Sequence, residues 1–271
     1  MKKSKNKERL DKLLVEKGLV ESRQKAQSLI MAGNVFVNGE KILKPSTLVD
    51  KNAKIEIKEN LKYVSRGGLK LEGALKDFNI NVKDKICLDV GASTGGFTDA
   101  LLKHGAKKVF SIDVGKNQLH YSLRNNKKVS FIEEFNVRYI DDKDYIEIFL
   151  EKKKKYKEAL KELLENKGNI DFLVMDVSFI SVTKLLDKVL PFLKKGGEFL
   201  ILVKPQFELN YKTVSKYKGV IKDEKEQKKA LEKVKNFLLS LPFSIDILGE
   251  TKSKIKGQDG NQEYFIWGKI K

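Results

Sequence analysis

Two lysines and two acidic residues, far apart in the sequence, have the chemical types that removal of a proton from a hydroxyl requires. They are Lys70 in SRGGLKL, Asp176 in VMDVSF, Lys204 in LVKPQF and Glu263 in GNQEYF. No His, Cys or acidic cluster with metal-ligand spacing lies near them, so we expect no metal site. A lysine beside a second cation can act as a base, and carboxylates can orient both ammonium groups. We therefore expect these residues to activate a hydroxyl group.

A glycine-rich turn, GASTGGF, follows a predicted strand at 86–90. Its glycine spacing is not that of the dinucleotide fingerprint, and Asp89 just before it is ill-suited to a pyrophosphate. A carboxylate there suits S-adenosylmethionine, which carries an ammonium and a sulfonium group. Asp113 ends the next strand, where an acidic side chain can bind ribose hydroxyls. The expected cofactor contacts are Asp89, Gly91, Ala92, Ser93, Thr94, Gly95, Gly96, Phe97, Asp113 and Asp176.

The elements that must position these residues begin at Gly67, where long apolar strands alternate with helices. This pattern predicts an α/β fold of the Rossmann-like class, with a seven-stranded, mostly parallel sheet. Strands are predicted at 86–90, 108–112, 129–132, 170–175, 198–203, 243–248 and 263–268. Helices are predicted at 68–78, 96–104, 181–190 and 224–239, and the Lys/Glu-rich segment 143–168 is interpreted mostly as a charged surface helix.

The same fold predicts where the chemistry occurs. In an open parallel sheet, ligands bind beyond the carboxyl ends of the strands, so Asp176 and Lys204 are expected on the cofactor side. An antiparallel last strand would bring Glu263 to that side as well.

A smaller α+β module precedes this fold at residues 8–58. Two short amphipathic helices end at Gly18 and Gly33, and Asn38-Gly39 predicts a hairpin. We expect domain limits of 1–59 for this module, 60–66 for a linker and 67–271 for the larger domain. Residues 1–62 hold 15 Lys+Arg and 8 Asp+Glu, a net charge of +7 that suits phosphate contact.

The bulk composition indicates a polyanionic partner inside the cell. The formal net charge is +18, and so large an excess attracts nucleic acid. Cys87 is the single cysteine, so no intramolecular disulfide can form and a reducing compartment is expected. No apolar run resembles a signal peptide or reaches the roughly 18 residues that span a bilayer. We expect a cytoplasmic protein without stable membrane association, and favour a monomer.

The helix–helix–hairpin module around AGNVFVNG resembles the S4-like RNA-binding domain. In that family the second helix and the hairpin present basic side chains to structured RNA. The resemblance implies RNA contacts from Arg9, Arg23 and Lys25, and we add Arg66 next to the linker.

The larger domain is similar to FtsJ-type RNA ribose 2′-O-methyltransferases, which share the Lys-Asp-Lys-Glu set. Together with the S4-like module, the motifs LDVGASTGGFTD, VMDVSFIS, LVKPQFE and NQEYF resemble the TlyA family over essentially all 271 residues. The resemblance implies that Lys204 is the base, supported by Lys70, Asp176 and Glu263. It further implies S-adenosylmethionine as cofactor and cytidine 2′-hydroxyls of 16S and/or 23S ribosomal RNA, free or in ribosomal subunits, as substrate.

A second hypothesis arises because members of this family are often called haemolysins. A pore-forming protein should have an export signal and a membrane-spanning or strongly amphipathic element. This sequence offers only its basic charge and the amphipathic segment 143–168, so the enzyme is the leading hypothesis. A third hypothesis, a protein with both roles, stays open. The intact set of four residues argues against a fourth, an RNA-binding protein that has lost its activity.

Overall fold

The computed structural model describes residues 6–31, 33–57 and 62–271, which group into two compact units on either side of the Lys62–Tyr63 bond. The domain limits 1–59, 60–66 and 67–271 stay a prediction, because residues 58–61 of the linker region lie outside the described residues. No helix within the described ranges combines the length and the apolar character that crossing a bilayer requires. The same ranges contain no group of three or more His, Cys, Asp or Glu side chains arranged to hold a metal ion.

The smaller unit packs two helices onto short strands. Its elements are β1 (Lys7–Arg9), α1 (Leu10–Glu16), α2 (Arg23–Met31), β2 (Val35–Val37), β3 (Glu40–Lys41), β4 (Leu48–Asp50) and β5 (Ile55–Ile57). The predicted hairpin is present, and its two turn residues, Asn38 and Gly39, both have the positive φ that a tight hairpin needs. The sequence did not predict β1 and β4, which pair antiparallel with each other.

A seven-stranded sheet organises the larger unit within residues 62–271. Its strands are β6 (Ile86–Val90), β7 (Lys108–Ile112), β8 (Val129–Ile132), β9 (Ile170–Met175), β10 (Leu193–Val203), β11 (Ile245–Lys252) and β12 (Tyr264–Ile270). The order across the sheet is β11-β12-β10-β9-β6-β7-β8; β12 runs antiparallel to both of its neighbours, β10 and β11, and the remaining strand pairs are parallel. The predicted α/β class and mostly parallel sheet are confirmed, and four strands have the predicted bounds.

Helices cover both faces of this sheet. They are α3 (Arg66–Asp77), α4 (Gly96–Lys103), α5 (Tyr121–Arg124), α6 (Lys143–Lys152), α7 (Lys157–Glu165), α8 (Leu186–Val189), α9 (Pro205–Glu208), α10 (Tyr211–Lys216) and α11 (Glu224–Ser240). Successive strand residues belong to opposite apolar clusters. Leu173 lies in one cluster, whereas Phe172 and Val174 lie in the other. The strand order reverses between β6 and β9, which is where such sheets open a ligand crevice.

Two predicted helices are broken in the structure. The segment 143–168 forms α6 and α7 with a 3₁₀ turn between them, so the interpretation as mostly one surface helix is wrong. Tyr156 in that turn is buried, and its hydroxyl donates to Glu133, which gives the chain a reason to bend inward. The predicted helix 181–190 is replaced by short helical turns, and Pro191 is the second residue of the last of them, Leu190–Phe192.

Candidate active site

Three of the four expected catalytic residues adjoin strand ends on one side of the sheet, at the carboxyl ends of its parallel strands. Asp176 directly follows β9 and Lys204 directly follows β10, so both extend from the carboxyl ends of parallel strands. Since β12 is antiparallel to β10, with Tyr264 opposite Val203, Glu263 enters the sheet next to Lys204. The prediction that an antiparallel last strand brings Glu263 to this edge is confirmed.

Lys70 reaches this edge from α3. A Cβ atom on Gly68 would lie 2.3 Å from the ring carbon Cγ of buried Tyr63, so only glycine lets the helix pack this closely. The Lys70 ammonium donates to Glu263 Oε2 at 2.6 Å. Gly257 lies over the other carboxylate oxygen, where an added Cβ would come within 2.6 Å of Oε1. Close packing therefore holds this nearly buried ion pair on both sides.

Lys204 is held by the loop that follows β9. Its ammonium nitrogen lies 2.6 Å from Asp176 Oδ1 in an ion pair and donates a hydrogen bond to Ser178 Oγ at 2.8 Å. The Lys204 side chain is 9% exposed and that of Asp176 is 21% exposed. The ion pairs Lys70–Glu263 and Lys204–Asp176 thus neutralise the four charges, and Lys204 Nζ is held at the carboxyl end of β10.

Glu208 joins the two loops that carry Asp176 and Lys204. Its side chain is buried and accepts hydrogen bonds from the backbone N–H of Val182, at 2.8 Å, and from the hydroxyl of Ser181. Sequence reasoning missed this residue. Its signal was a carboxylate four residues after Lys204, the one acidic residue in the motif LVKPQFE.

An aromatic pair lies beside Lys204. Phe179 is 92% exposed and has a φ of +64°, a strained value for a bulky side chain. Its ring centroid is 5.4 Å from that of Phe207, and Lys204 Nζ lies 5.9 Å from the Phe207 ring. Strain of this kind is concentrated at functional sites. Sequence reasoning missed Phe179, because its exposure depends on the backbone bend.

The glycines of the turn after β6 make room for other parts of the protein. A Cβ on Gly91 would lie 2.5 Å from the carbonyl oxygen of Asp176, and one on Gly95 would lie 2.2 Å from Leu123. A Cβ on Gly96 would lie 2.3 Å from Ser65 Oγ. These contacts bring the turn close to the end of β9, so they help to shape the crevice.

A small crevice opens beside this turn, at the carboxyl ends of β6, β7 and β8. Its empty space of about 150 Å³ includes open solvent, and its lining comprises Ala92, Ser93, Ser111, Asp113, Leu119, Phe131, Ile132 and Glu133. Asp113 accepts the backbone N–H groups of Ser93, at 2.7 Å, and Gly115, at 2.6 Å. Each of its oxygens keeps a free lone pair for a further donor. Val114 next to it is 71% exposed.

Other expected cofactor residues lie elsewhere. Thr94 is exposed, and its carbonyl accepts the His120 N–H at 3.1 Å. Phe97 is buried in the core, with its ring centroid 6.1 Å from that of Phe265. Glu133, which the sequence analysis did not select, accepts the N–H groups of residues 117–119 and so shapes the crevice wall.

Asp89 lies fully buried beneath the turn. Its Oδ2 accepts the Thr98 hydroxyl at 2.6 Å, whereas its Oδ1 has no hydrogen-bond partner within residues 62–271. Burial raises the pKa of Asp89 to about 7, and the negative charges of Asp176 and Asp113 contribute to the increase. A nearby positive charge would favour its ionised form.

The expected RNA contacts are divided between the two units. In the smaller unit, Arg9 and Arg23 both bind the buried carboxylate of Asp11, each with a 2.9 Å contact. The Arg9 guanidinium, aided by Gln27 and Arg23, holds the pKa of Asp11 well below its usual range. Both arginine side chains stay substantially exposed, at 36% and 49%. Asp11, which sequence reasoning did not assign a role, therefore presents two oriented guanidinium groups at the surface.

Among the residues that the structure describes, the other two expected RNA contacts, Lys25 and Arg66, are not oriented by a buried carboxylate such as Asp11. Lys25 is half-buried on α2, and the exposed Arg66 begins α3 in the larger unit.

Comparisons with known proteins agree with this architecture. The sequence model of the FtsJ-like methyltransferases matches residues 63–270, and that of the S4 domain matches residues 8–55. Hemolysin A of Brachyspira hyodysenteriae is 43% identical over 256 residues, covering 94% of this chain and 97% of the relative. The 16S/23S rRNA (cytidine-2′-O)-methyltransferase TlyA of Mycobacterium tuberculosis is 36% identical over 261 residues, covering 96% and 88%.

A solved structure supports the same relationship. A candidate hemolysin from Streptococcus thermophilus is 37% identical and superimposes with a TM-score of 0.68, over 98% of this chain and 90% of that one. The chain therefore belongs to the FtsJ-like methyltransferases, in the group with an N-terminal S4 domain that includes TlyA and Hemolysin A.

Proposed function

We propose that this protein transfers the methyl group of S-adenosylmethionine to the ribose 2′-hydroxyl of a cytidine in 16S and/or 23S ribosomal RNA. One observation carries the proposal: two Lys–carboxylate pairs lie at the carboxyl edge of the sheet, in a chain of the FtsJ-like family. The name of the TlyA relative supports the cytidine and the ribosomal RNA.

Lys204 acts as the base in this proposal. When bound, the cofactor supplies an electrophilic methyl group. Lys204 Nζ accepts the proton of the 2′-hydroxyl as the oxygen–carbon bond forms and the sulfur–carbon bond breaks. Ser178 holds Nζ in place at 2.8 Å, and Asp176 is shared between Lys204 and the positively charged cofactor. The sharing weakens the hold of Asp176 on the ammonium form of Lys204, so Lys204 first releases its own proton to solvent and then, as the neutral amine, takes up the proton of the 2′-hydroxyl.

Lys70 and Glu263 complete the arrangement. Their ion pair is nearly buried and adjoins Lys204 through the register of β10 and β12. A positive charge there stabilises negative charge that develops on the attacking oxygen, and Glu263 keeps Lys70 in position. Holding the acceptor and the cofactor together supplies the usual proximity advantage.

The residues around the crevice fit an adenosine-bearing cofactor. Asp113 offers acceptor capacity for ribose hydroxyls, Ala92 and Ser93 are small, and exposed Val114 offers apolar surface. The crevice is shallow and its empty space is partly open solvent, so it does not enclose a ligand in the way that most ligand pockets do. We infer that much of the cofactor lies in an open groove rather than in a closed pocket.

Cofactor affinity is expected to fall as the pH drops below about 7. Burial raises the pKa of Asp89 to about 7, so below that pH the free protein carries a neutral Asp89. Binding a positively charged cofactor must then expel a proton, which costs up to about tenfold in affinity per pH unit. Calorimetric titration of the full chain between pH 6 and 8.5 measures this slope. Asp89→Asn should bind more weakly at pH 8 and lose the slope, and an unchanged slope in this variant would contradict the assignment.

RNA binding is proposed for both units. The S4 domain supports Arg9, Arg23 and Lys25 as contacts, and Arg66 is an exposed cation at the start of α3 in the larger unit. Such contacts position RNA through its phosphates without reading sequence. Because its proposed substrate is ribosomal RNA, we place the protein in the cytoplasm. We propose the enzymatic role and not a membrane-active one.

The test is a map of ribose methylation in ribosomal RNA from cells with and without this protein. We expect at least one cytidine 2′-O-methyl group to be lost in its absence and restored by the purified protein with labelled S-adenosylmethionine. Free 16S RNA, free 23S RNA and both subunits are assayed separately to identify the substrate. Identical maps, together with no transfer to any of the four substrates, would remove the proposal.

A further inference from the structure

The segment 209–222, directly after the Lys204 loop, has an unusual composition. It contains no acidic residue between Glu208 and Asp223 but contains four lysines, Lys212, Lys216, Lys218 and Lys222. Tyr211 near its start is 86% exposed. The mixed charges of segment 143–168, by comparison, largely offset one another.

Packing does not explain helix α10 within this segment. Helix α10 buries none of its side chains and is held at its start by Asn210, whose side chain accepts the Thr213 N–H at 2.9 Å. Short helices normally depend on burying an apolar face. Lys218 also adopts a φ of +51°, a left-handed value that favours glycine or asparagine. The side chains of α10 therefore remain available for an external partner.

Both ends of the segment are anchored next to catalytic residues. At its start, the Lys233 ammonium group donates to the Glu208 carbonyl at 2.6 Å. Glu208 lies four residues after Lys204. At its end, the buried Asn261 donates to the Gly219 carbonyl and accepts the Ile221 N–H, both at 2.8 Å. Asn261 lies two residues before Glu263. The segment thus lies beside the carboxyl ends of the parallel strands, where the acceptor hydroxyl must bind.

Lysine ammonium groups of this segment are available to bind phosphates. Within the described part of the chain, Lys212, Lys218 and Lys222 have no ion-pair partner, whereas Lys216 lies 5.3 Å from the ring of Tyr217. An exposed aromatic ring beside unpaired ammonium groups suits single-stranded nucleic acid, which offers a base to stack and phosphates to neutralise. An acidic protein would use the lysines but has no need of the ring.

We propose that segment 209–222 binds the unpaired RNA that flanks the acceptor nucleotide. Tyr211 stacks on a base, and Lys212 and Lys218 contact phosphates. This inference rests on the proposed function, because it takes the acceptor to be RNA, and it adds a binding surface outside the expected S4 contacts.

The charge part is tested by Lys212→Gln/Lys218→Gln in the full chain. The KM for the RNA substrate should rise roughly tenfold with little change in kcat, and the slope of log affinity against log salt should fall by about 1 to 2. The matched control is Lys107→Gln/Lys195→Gln. It removes two exposed lysines near the amino ends of β7 and β10, at the other end of the strands from the proposed active site. Equal effects in both double variants would overturn the inference, and unchanged melting temperatures exclude misfolding.

The stacking part is tested at Tyr211. Tyr211→Ala should raise the KM for RNA about fivefold or more, whereas Tyr211→Phe, which keeps the ring, should behave like the wild type. Tyr211→p-azidophenylalanine, irradiated with ribosomal subunits, should crosslink to ribosomal RNA near the methylated cytidine. Crosslinks to a ribosomal protein, or none, would overturn the assignment to RNA. Absence of methyl transfer by the wild type would remove the proposed function, whereas the crosslink tests the surface independently.

Discussion

Lys204→Ala is expected to lower methyl transfer to RNA by about 100- to 10,000-fold while cofactor affinity stays within about threefold of the wild type. The loss follows from removing the group that accepts the hydroxyl proton. Lys204 Nζ is fixed by Asp176 at 2.6 Å and Ser178 at 2.8 Å, so no neighbouring amine can replace it without movement. Single-turnover transfer of labelled methyl groups and calorimetric titration of the cofactor measure the two quantities.

A second variant separates proton transfer from charge. Lys204→Arg keeps the positive charge but cannot accept a proton near neutrality. We expect it to be as inactive as Lys204→Ala. Lys85→Ala is the matched control, because Lys85 also forms a partly buried ion pair, with Glu198 at 2.7 Å. This pair lies towards the amino ends of the strands, away from the proposed active site. If Lys204→Arg kept a tenth or more of the wild-type rate, Lys204 would act through its charge and not as the base.

Lys70→Met is expected to reduce the free energy of unfolding by about 3 to 5 kcal/mol and to abolish transfer. The Glu263 side chain is 3% exposed and that of Lys70 is 12% exposed, so loss of the lysine leaves a buried carboxylate without its 2.6 Å partner. The double variant Lys70→Met/Glu263→Gln removes both charges. It should recover most of the stability but none of the activity, which denaturant unfolding and transfer assays measure together.

Lys76→Met is the control for this pair. Lys76 lies on the same helix, α3, and pairs with Glu72 at 2.7 Å, but its own side chain is 70% exposed. The Glu72 side chain is only 9% exposed, so the pair is open to water on the lysine side alone. Because water can still reach the position of the Lys76 ammonium group, loss of Lys76 should cost less stability than loss of Lys70. A cost for Lys70→Met no larger than that of Lys76→Met, or a double variant no more stable than the single one, would show that the pair is not a buried structural unit.

The fold was largely predictable because strand ends are local features of this sequence. Buried parallel strands appear as continuous apolar runs, so 108–112, 129–132 and 170–175 have the predicted bounds. Polar residues that directly follow such runs must lie at the carboxyl edge of the sheet. Asp176 and Lys204 could therefore be assigned to one edge before any coordinates were known, although their roles stay predictions.

Other features depended on contacts between distant residues. The break in segment 143–168 follows from burial of Tyr156 against Glu133, which no helical periodicity indicates. The glycines of the turn were interpreted as space for a ligand, but Gly91 also accommodates the carbonyl of Asp176. Glycine spacing by itself cannot distinguish a ligand from a neighbouring strand.

The sequence by itself determined the class of the fold, the seven strands of the larger sheet and the residue types available for chemistry, because these depend on hydrophobic periodicity and on what immediately follows each strand. Only the tertiary structure decided that Lys70 pairs with Glu263, 193 positions away, that Asp89 is buried with a raised pKa, and that Phe179 and Tyr211 are exposed. Pairing, desolvation and exposure are properties of packed neighbours, and a one-dimensional pattern does not state which distant side chains become neighbours.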